Sequence, residues 1–453
     1  MVNRKLGNFL KKSKKIIVGV IGILLVLIVL PFLIPTEKYL AQFEHTATEM
    51  LGVPVQITHA RLYFIPTPRL SVDGVVIGKQ QDVSIESISV VPSLSTLFSD
   101  TRVIALHIHQ PTIKDSAVAI FSPLLDTKSD SSGPSLVEIS SIEIDDLKLI
   151  WPSLKLPLLN AQANFAKGMQ FLDAEINSED GQLVANILPT DTGHSIVLKM
   201  QDWVMPLSKP FVVNEGRVDM ALVGSQLDIS KINLQLYGGS INGNAKLNWQ
   251  KAWQLNGQLH VKEISLKAPT KMLNPNTYMD GRLVGNGRFG ANAKNAGQLM
   301  DQLRAEFTFT VNNGVLYGLD LVKIASLLIK QSPKGGQTQF DTFTGQLAIS
   351  GKRYHLKRLH VSSGLISAKG EVKINEQEKL DGKTDVEIKQ SVGLVSVPLV
   401  VSGTLQNPSV YPSKAALAGA AVGTAILGPG LGTSLGSKAG DAVKGLKDLF
   451  GGD

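Results

Sequence analysis

Cysteine is missing from all 453 residues. That removes disulfides, thiolate nucleophiles and cysteine-based metal sites from consideration. Charge is scarce too: Asp, Glu, Lys and Arg make up 18% of the chain, below the roughly one quarter usual in soluble globular proteins. Aromatic residues are a modest 6%. No acidic residue occurs before Glu37. Sustained helical periodicity is rare, and that absence weighs against an all-α or doubly wound α/β architecture.

The net charge of +7 and pI near 9.2 invite a nucleic-acid reading, but the charge is not spread over the chain. Arg4, Lys5, Lys11, Lys12, Lys14 and Lys15 precede every acid, and without these six the chain carries about +1. The basic excess is a membrane flank, and no nucleic-acid partner is expected. Residues 16–34, IIVGVIGILLVLIVLPFLI, contain no charge. As a helix they would span roughly 29 Å at 1.5 Å per residue, which matches a bilayer core. The run leads into Pro31 and Pro35 without a small-x-small cleavage site, so an uncleaved anchor is expected rather than a signal peptide. The basic flank places the N-terminus in the cytoplasm and everything after the anchor on the other side. Over 36–51, Tyr39, Leu40, Phe43, Ala47, Met50 and Leu51 form one apolar stripe ending at Gly52, which predicts a helix that packs on the first strands.

From about residue 53 to 411 the signal is alternation. Ile104, Leu106 and Ile108 alternate with Ala105, His107 and His109. Ile232, Leu234 and Leu236 form a similar set, as do Phe307, Phe309 and Val311, and Val395, Val397, Leu399 and Val401. Asp73-Gly74, Gly238-Gly239, Asn242-Gly243, Asn256-Gly257, Asn313-Gly314 and Asp381-Gly382 read as turns. Short helices are predicted over 297–305 and 318–331, and flexible breaks over 126–134 and 331–339. Ile229, Ile232, Leu234, Gly243 and Leu247 recur 127 residues later as Leu356, Leu359, Val361, Gly370 and Ile374, which points to repeated hairpins stacked along one axis. The expectation is a mainly β protein. Either two sheets close into a sandwich, or one elongated antiparallel sheet curls and keeps an apolar lining suited to acyl chains. The chain divides into a basic segment 1–15, an anchor 16–34, a first β region 35–125, a break 126–134, a middle β region 135–270, a last β region 271–414 and a Gly/Ala-rich tail 415–453.

Chemical motifs are weak. Gly285, Gly287 and Gly290 spell G-x-G-x-x-G without a strand–helix–strand unit around them, so turn glycines are the expectation. Gly432-Thr433-Ser434-Leu435-Gly436 spells G-x-S-x-G, yet the last histidine is His360, upstream of it. His107 and His109 share one strand face at a spacing that fits a metal, but no third ligand is placed beside them. Asp145-Asp146 and Glu179-Asp180 are neighbours that a strand turns to opposite faces. No enzyme activity, cofactor or metal is expected. In the tail, Gly428, Gly432, Gly436 and Gly440 recur every four residues; close helix packing against a membrane or partner and a loosely ordered extension are equal readings.

Four stretches carry a resemblance. After the anchor comes YLAQFEHTATEMLGVPVQITHARLYFIPTPRLSVDGVVIG. Later come QLRAEFTFTVNNGVLYGLDLVKIASLL, then FTGQLAISGKRYHLKRLHVSSGLISAKGEVKI, and finally VPLVVSGTLQNPSVYP. In this order they resemble the AsmA family over about 35–412, most clearly at 36–78 and 300–412. The resemblance implies a single-pass protein of the inner membrane of double-membraned bacteria, with its bulk in the periplasm. It implies kinship with larger bridge-like lipid carriers, whose curled sheet shelters phospholipid tails. It supplies no catalytic residues. Leu234, Leu236, Phe309, Val397 and Leu399 are the candidate groove residues, with membrane phospholipids as the partner. A non-catalytic scaffold for outer-membrane or periplasmic proteins, binding through an open sheet edge, is the alternative.

Overall fold

The computed structural model describes residues 37–65, 67–93, 102–118, 120, 137–151, 155–206, 210–327, 335–390 and 393–418. The expected anchor 16–34, the break 126–134, the G-x-S-x-G match and the tail beyond 418 lie outside these residues. Among the described residues no helix is long and apolar enough to cross a membrane. The chain forms two units, Met1–Leu198 with Leu222–Ser225, and Lys199–Ala221 with Gln226–Asp453. Their boundary runs through strands β10 (Gly193–Val204) and β11 (Val212–Val223).

The first unit opens with helix α1 (Glu37–Leu51), which stops at Gly52 as its stripe predicts. Gly52 has a positive φ of 67° and donates its N–H to Thr48 O at 2.9 Å, a glycine-terminated helix end. Strands β1 (Val55–Tyr63), β2 (Arg69–Ile77), β3 (Val83–Pro92) and β4 (Arg102–His109) follow as an antiparallel meander. Short strand β5 (Thr112–Lys114) continues past a kink at Gln110, whose φ is +48°. Strand β6 (Val137–Ile150) then pairs parallel with both β4 and β5. The mainly antiparallel sheet that the sequence predicts departs from antiparallel pairing here. A parallel neighbour requires a crossover connection rather than a hairpin. Strands β7 (Leu159–Ala166), β8 (Gln170–Ser178) and β9 (Leu183–Thr190) resume antiparallel pairing.

In the second unit, β12 (Gln226–Leu236) through β22 (Pro408–Pro412) pair antiparallel, each with the next in the chain. The intervening strands are β13 (Gly239–Asn248), β14 (Trp253–Ser265), β15 (Tyr278–Ala293), β16 (Arg304–Tyr317), β17 (Gln337–Ser350), β18 (Arg353–Ser362), β19 (Ile366–Ile374), β20 (Leu380–Gln390) and β21 (Gly393–Gly403). Two short helices interrupt the meander, α2 (Lys267–Leu273) and α3 (Leu321–Leu327). The second falls within the predicted helix 318–331. The helix predicted over 297–305 does not form. A 3-10 turn occupies Ala296–Gln298, and β16 begins at Arg304, ahead of the alternating Phe307, Phe309 and Val311.

Most of the expected turns are also corrected. Only Gly238-Gly239 marks one, where Tyr237 and Gly238 both have positive φ between β12 and β13, the geometry of a two-residue hairpin. Gly74, Gly243, Gly257, Gly314 and Gly382 lie inside strands, and so do the three glycines of the G-x-G-x-x-G match, all within β15. The repeat is seen in the register. Ile232 pairs with Gly243 and Leu359 with Gly370, and the bulges at Ile229/Ile232 and Leu356/Leu359 occupy the same place in both hairpins.

Candidate functional site

Residues directly opposite in a paired sheet share a face, so the registers show which side chains line up across many strands. In the second unit one row runs through Ile232, Gly243, Leu259, Gly287, Phe307, Leu347, Leu356, Val372, Gly382, Val401 and Val410. Every member is apolar or glycine, from β12 to β22. A second row passes through Ile229, Ala245, Gly257, Phe289, Ala305, Ile349, Tyr354, Ile374 and Leu380. The opposite face carries Asn233, Asn242, His260, Asn286, Thr308, Gln346 and Lys357 in register. One face is therefore apolar across the whole meander and the other is polar. At about 4.8 Å per strand the apolar row covers on the order of 50 Å.

Bulges keep this sorting intact. Glu263 and Arg358, both with positive φ, sit at the shifts Val261/Ile264 and Leu356/Leu359. Each adds one residue to its strand, so apolar residues three apart return to the same side. Strict alternation would have placed them on opposite faces.

Glycine and phenylalanine alternate along the apolar face. A Cβ on Gly257 would lie 2.4 Å from Phe289 Cζ, one on Gly287 2.3 Å from Phe307 Cδ1, one on Gly314 2.2 Å from Phe340 Cζ and one on Gly345 2.7 Å from Phe309 Cζ. Each ring lies over a neighbouring strand's glycine, as large residues do beside in-strand glycines in curved sheets. The rings lie down on the sheet instead of standing off it.

All five candidate residues fall on this face. Leu234 and Phe309 share a row through Ile241, Val261 and Gly285. Leu236 is two residues on from Leu234, and both are buried. Phe309 is half-buried and packs edge-to-face on Phe343, with ring centroids 5.3 Å apart. Val397 and Leu399 differ from the other three. They are 2% and 1% exposed, beneath Leu321, Ile324 and Ala325 of α3 and beside Val386 and Val410. Thr338 locks this helix in place: its hydroxyl donates to Leu319 O at 2.8 Å and accepts from Leu321 N at 3.0 Å. The apolar face is thus covered at its β19–β22 end and half-buried along its middle strands. Sequence reasoning placed Phe307 in an apolar strand set but did not single out Phe289 or Phe340, and it read Gly257, Gly287 and Gly314 as turn residues. Their signal was present as Asn-Gly and Gly-x-Gly, which resemble turns.

The first unit is built alike. Ala60, Val72, Ile88, Ile108, Ile144, Ala161, Ile176 and Ala185 form an apolar row across its strands. Helix α1 covers the β1–β3 end, where Ala47 and Leu51 pack with Val55, Val75 and Val83. Its Glu44 and Thr48 side chains also accept the N–H groups of Ile57 and Val55, at 2.6 and 3.0 Å. On the polar face His107 meets Glu143 at 2.8 Å and His109 meets Asp145 at 3.2 Å across the parallel pair. Among the described residues no three His, Asp or Glu side chains are grouped to hold a metal ion. Asp146 sits at a bulge with φ +57°, and Glu179-Asp180 occupies the β8–β9 turn.

These features define a class: in each unit, strands paired largely in chain order present one apolar face, capped locally by short helices. Residues 210–353, covering β11 to β17, match the AsmA family model, so the chain carries an AsmA family domain there. Comparison with curated proteins and with solved structures finds no match.

Proposed function

We infer that this is a non-catalytic, membrane-anchored protein of the bacterial envelope that holds acyl chains against its apolar β face. In this reading it supports phospholipid transport to the outer membrane, or its homeostasis. It sits in the inner membrane with its N-terminus in the cytoplasm and its bulk in the periplasm. One observation carries the reading: the unbroken apolar row from Ile232 to Val410, backed by a polar opposite face. A face of that kind shelters a chain whose exposure costs about 0.8 kcal/mol per methylene, while headgroups stay in water. Binding needs no chemical step, only a continuous path of low polarity. The AsmA family match is consistent with an envelope lipid role.

The test is to purify the full chain gently from membranes with a photo-crosslinking residue at Leu259, Phe309 or Leu399 and to analyse adducts by mass spectrometry. Phospholipid adducts are expected at Leu259 and Phe309, and few at Leu399 because α3 covers it. Clean protein at all three positions would overturn the reading and favour a scaffold.

A further inference from the structure

The two rims of the apolar face in the second unit differ. One rim bears α2 and α3, and α3 lies across the face. The other is made of the connections 249–252, 294–303 and 351–352, which join β13 to β14, β15 to β16 and β17 to β18, and of 375–379 and 404–407, the last hydrogen-bonded to Leu273 and Asn274 at the end of α2. No α-helix lies in the first three connections.

At this open rim the apolar face ends in aromatic and flexible side chains. Trp249 and Trp253 continue the alternation of Leu247 and Leu255, which pair with each other on the apolar side. Their rings stack with centroids 5.5 Å apart and planes 21° apart. Tyr354, in the apolar row at Ile349, is 39% exposed, and Met300 in the intervening loop is 51% exposed.

Cations line the same rim. Lys251, Lys294, Arg304, Lys352 and Arg353 lie within 249–252, 294–304 and 351–353 with one carboxylate, Asp301, and Glu376 and Glu378 follow in the connection 375–379. Arg304 and Arg353 stand on the polar side of the sheet, in register with Asn256. Asp301 pairs with Lys352 at 3.3 Å, and Arg353 reaches Glu376 at 3.2 Å. Lys251, Lys294 and Arg304 form no ion pair among the described residues. Arg304 also lines two open clefts on the polar side, one with Lys352, Arg353, Asp301 and Glu376, the other with Gln254 and Asn256. Tryptophan and tyrosine at the border of an apolar surface, with Lys and Arg beside them, match the chemistry of a bilayer's headgroup layer. Excess positive charge selects anionic lipid.

We propose that this rim docks on a bilayer surface containing anionic phospholipid, with Met300, Tyr354 and Trp253 at headgroup depth and Trp249, whose indole nitrogen is buried, as their support, and that acyl chains pass across it onto the apolar face. The passage of chains rests on the function inferred above; the docking does not.

The absence of cysteine allows a direct test. The full chain is reconstituted in phosphatidylcholine nanodiscs with Met300→Cys carrying an environment-sensitive dye. Vesicles of phosphatidylethanolamine with phosphatidylglycerol, or of phosphatidylcholine alone, are then added. The dye should brighten and shift to the blue with the anionic vesicles, and far less with phosphatidylcholine. The same dye at Asn286→Cys, on the polar face, should not respond. Replacing Lys251, Lys294 and Arg304 by Glu should weaken vesicle binding by at least about fivefold per site, and raised salt should do the same. No response at Met300, an equal response at Asn286, or a response only to added periplasmic protein would overturn the proposal. Lipid adducts at Leu259 and Phe309 would persist in that case, so failure of the rim is distinguishable from failure of the groove.

Discussion

Gly287 is a position where a single methyl group matters. Its Cβ would fall 2.3 Å from the Phe307 ring and 2.4 Å from Glu306 O. Gly287→Val should cost about 1–3 kcal/mol, the usual range for overpacking, and a thermal melt against wild type measures it. Phe307→Leu should cost less at Gly287, because it leaves the glycine uncovered rather than obstructed. Asn274 is a second sensitive residue. It is 5% exposed, gives its amide hydrogens to Leu405 O and Gln406 O, and accepts from Asn276 N and Thr277 N. Asn274→Ala would orphan those groups at a cost of roughly 1–3 kcal/mol, read as a lower denaturant midpoint. Asp180 has a titration consequence. The Ser178 hydroxyl, 2.5 Å away, and then the Gln182 N–H hold its carboxyl below the usual carboxylate range. A carboxyl lowered in the folded state adds stability above its unfolded pKa, and that stability is lost as pH falls through the folded value. In Ser178→Ala the carboxyl should titrate higher, which carboxyl NMR would follow.

At the scale of elements, helices decide where the apolar face is open. Ile324 is 1% exposed at the centre of the α3 contact. Ile324→Ala should cost about 2–5 kcal/mol and raise lipid adduct formation at Leu399 toward that at Phe309. Unchanged adducts at Leu399 would mean that α3 does not limit access. Helix α1 plays a different part. By accepting the outward N–H groups of β1, Glu44 and Thr48 close a sheet edge that would otherwise pair with another strand. A Glu44→Ala, Thr48→Ala double variant should self-associate more readily in sedimentation. Much of this was legible from periodicity. The strand sets around Ile232, Phe307 and Val397 and the helix ending at Gly52 all follow from local alternation or stripes. What local pattern could not carry was long-range pairing. The parallel step at β4 and β6 depends on a crossover. The in-strand role of Gly257 or Gly314 depends on a ring from the next strand, which no turn statistic registers.

At the scale of the whole molecule, each unit solves one problem in one way: an apolar face too broad for its own helices is covered at one end and left half-open elsewhere. The candidate residues were legible as apolar strand positions. Their division into open and covered was not, since α3 reaches Leu399 from far along the chain. The conserved phase of the two hairpins, bulge included, has a further consequence for how such a gene changes length. Adding one strand would reverse the direction of everything after it, and adding one residue would turn a strand inside out. Adding a full hairpin does neither. Related genes should therefore differ in length by whole hairpins, each lengthening the sheet by about 10 Å. A sheet of that kind can be lengthened by duplication alone, with no redesign of its lining.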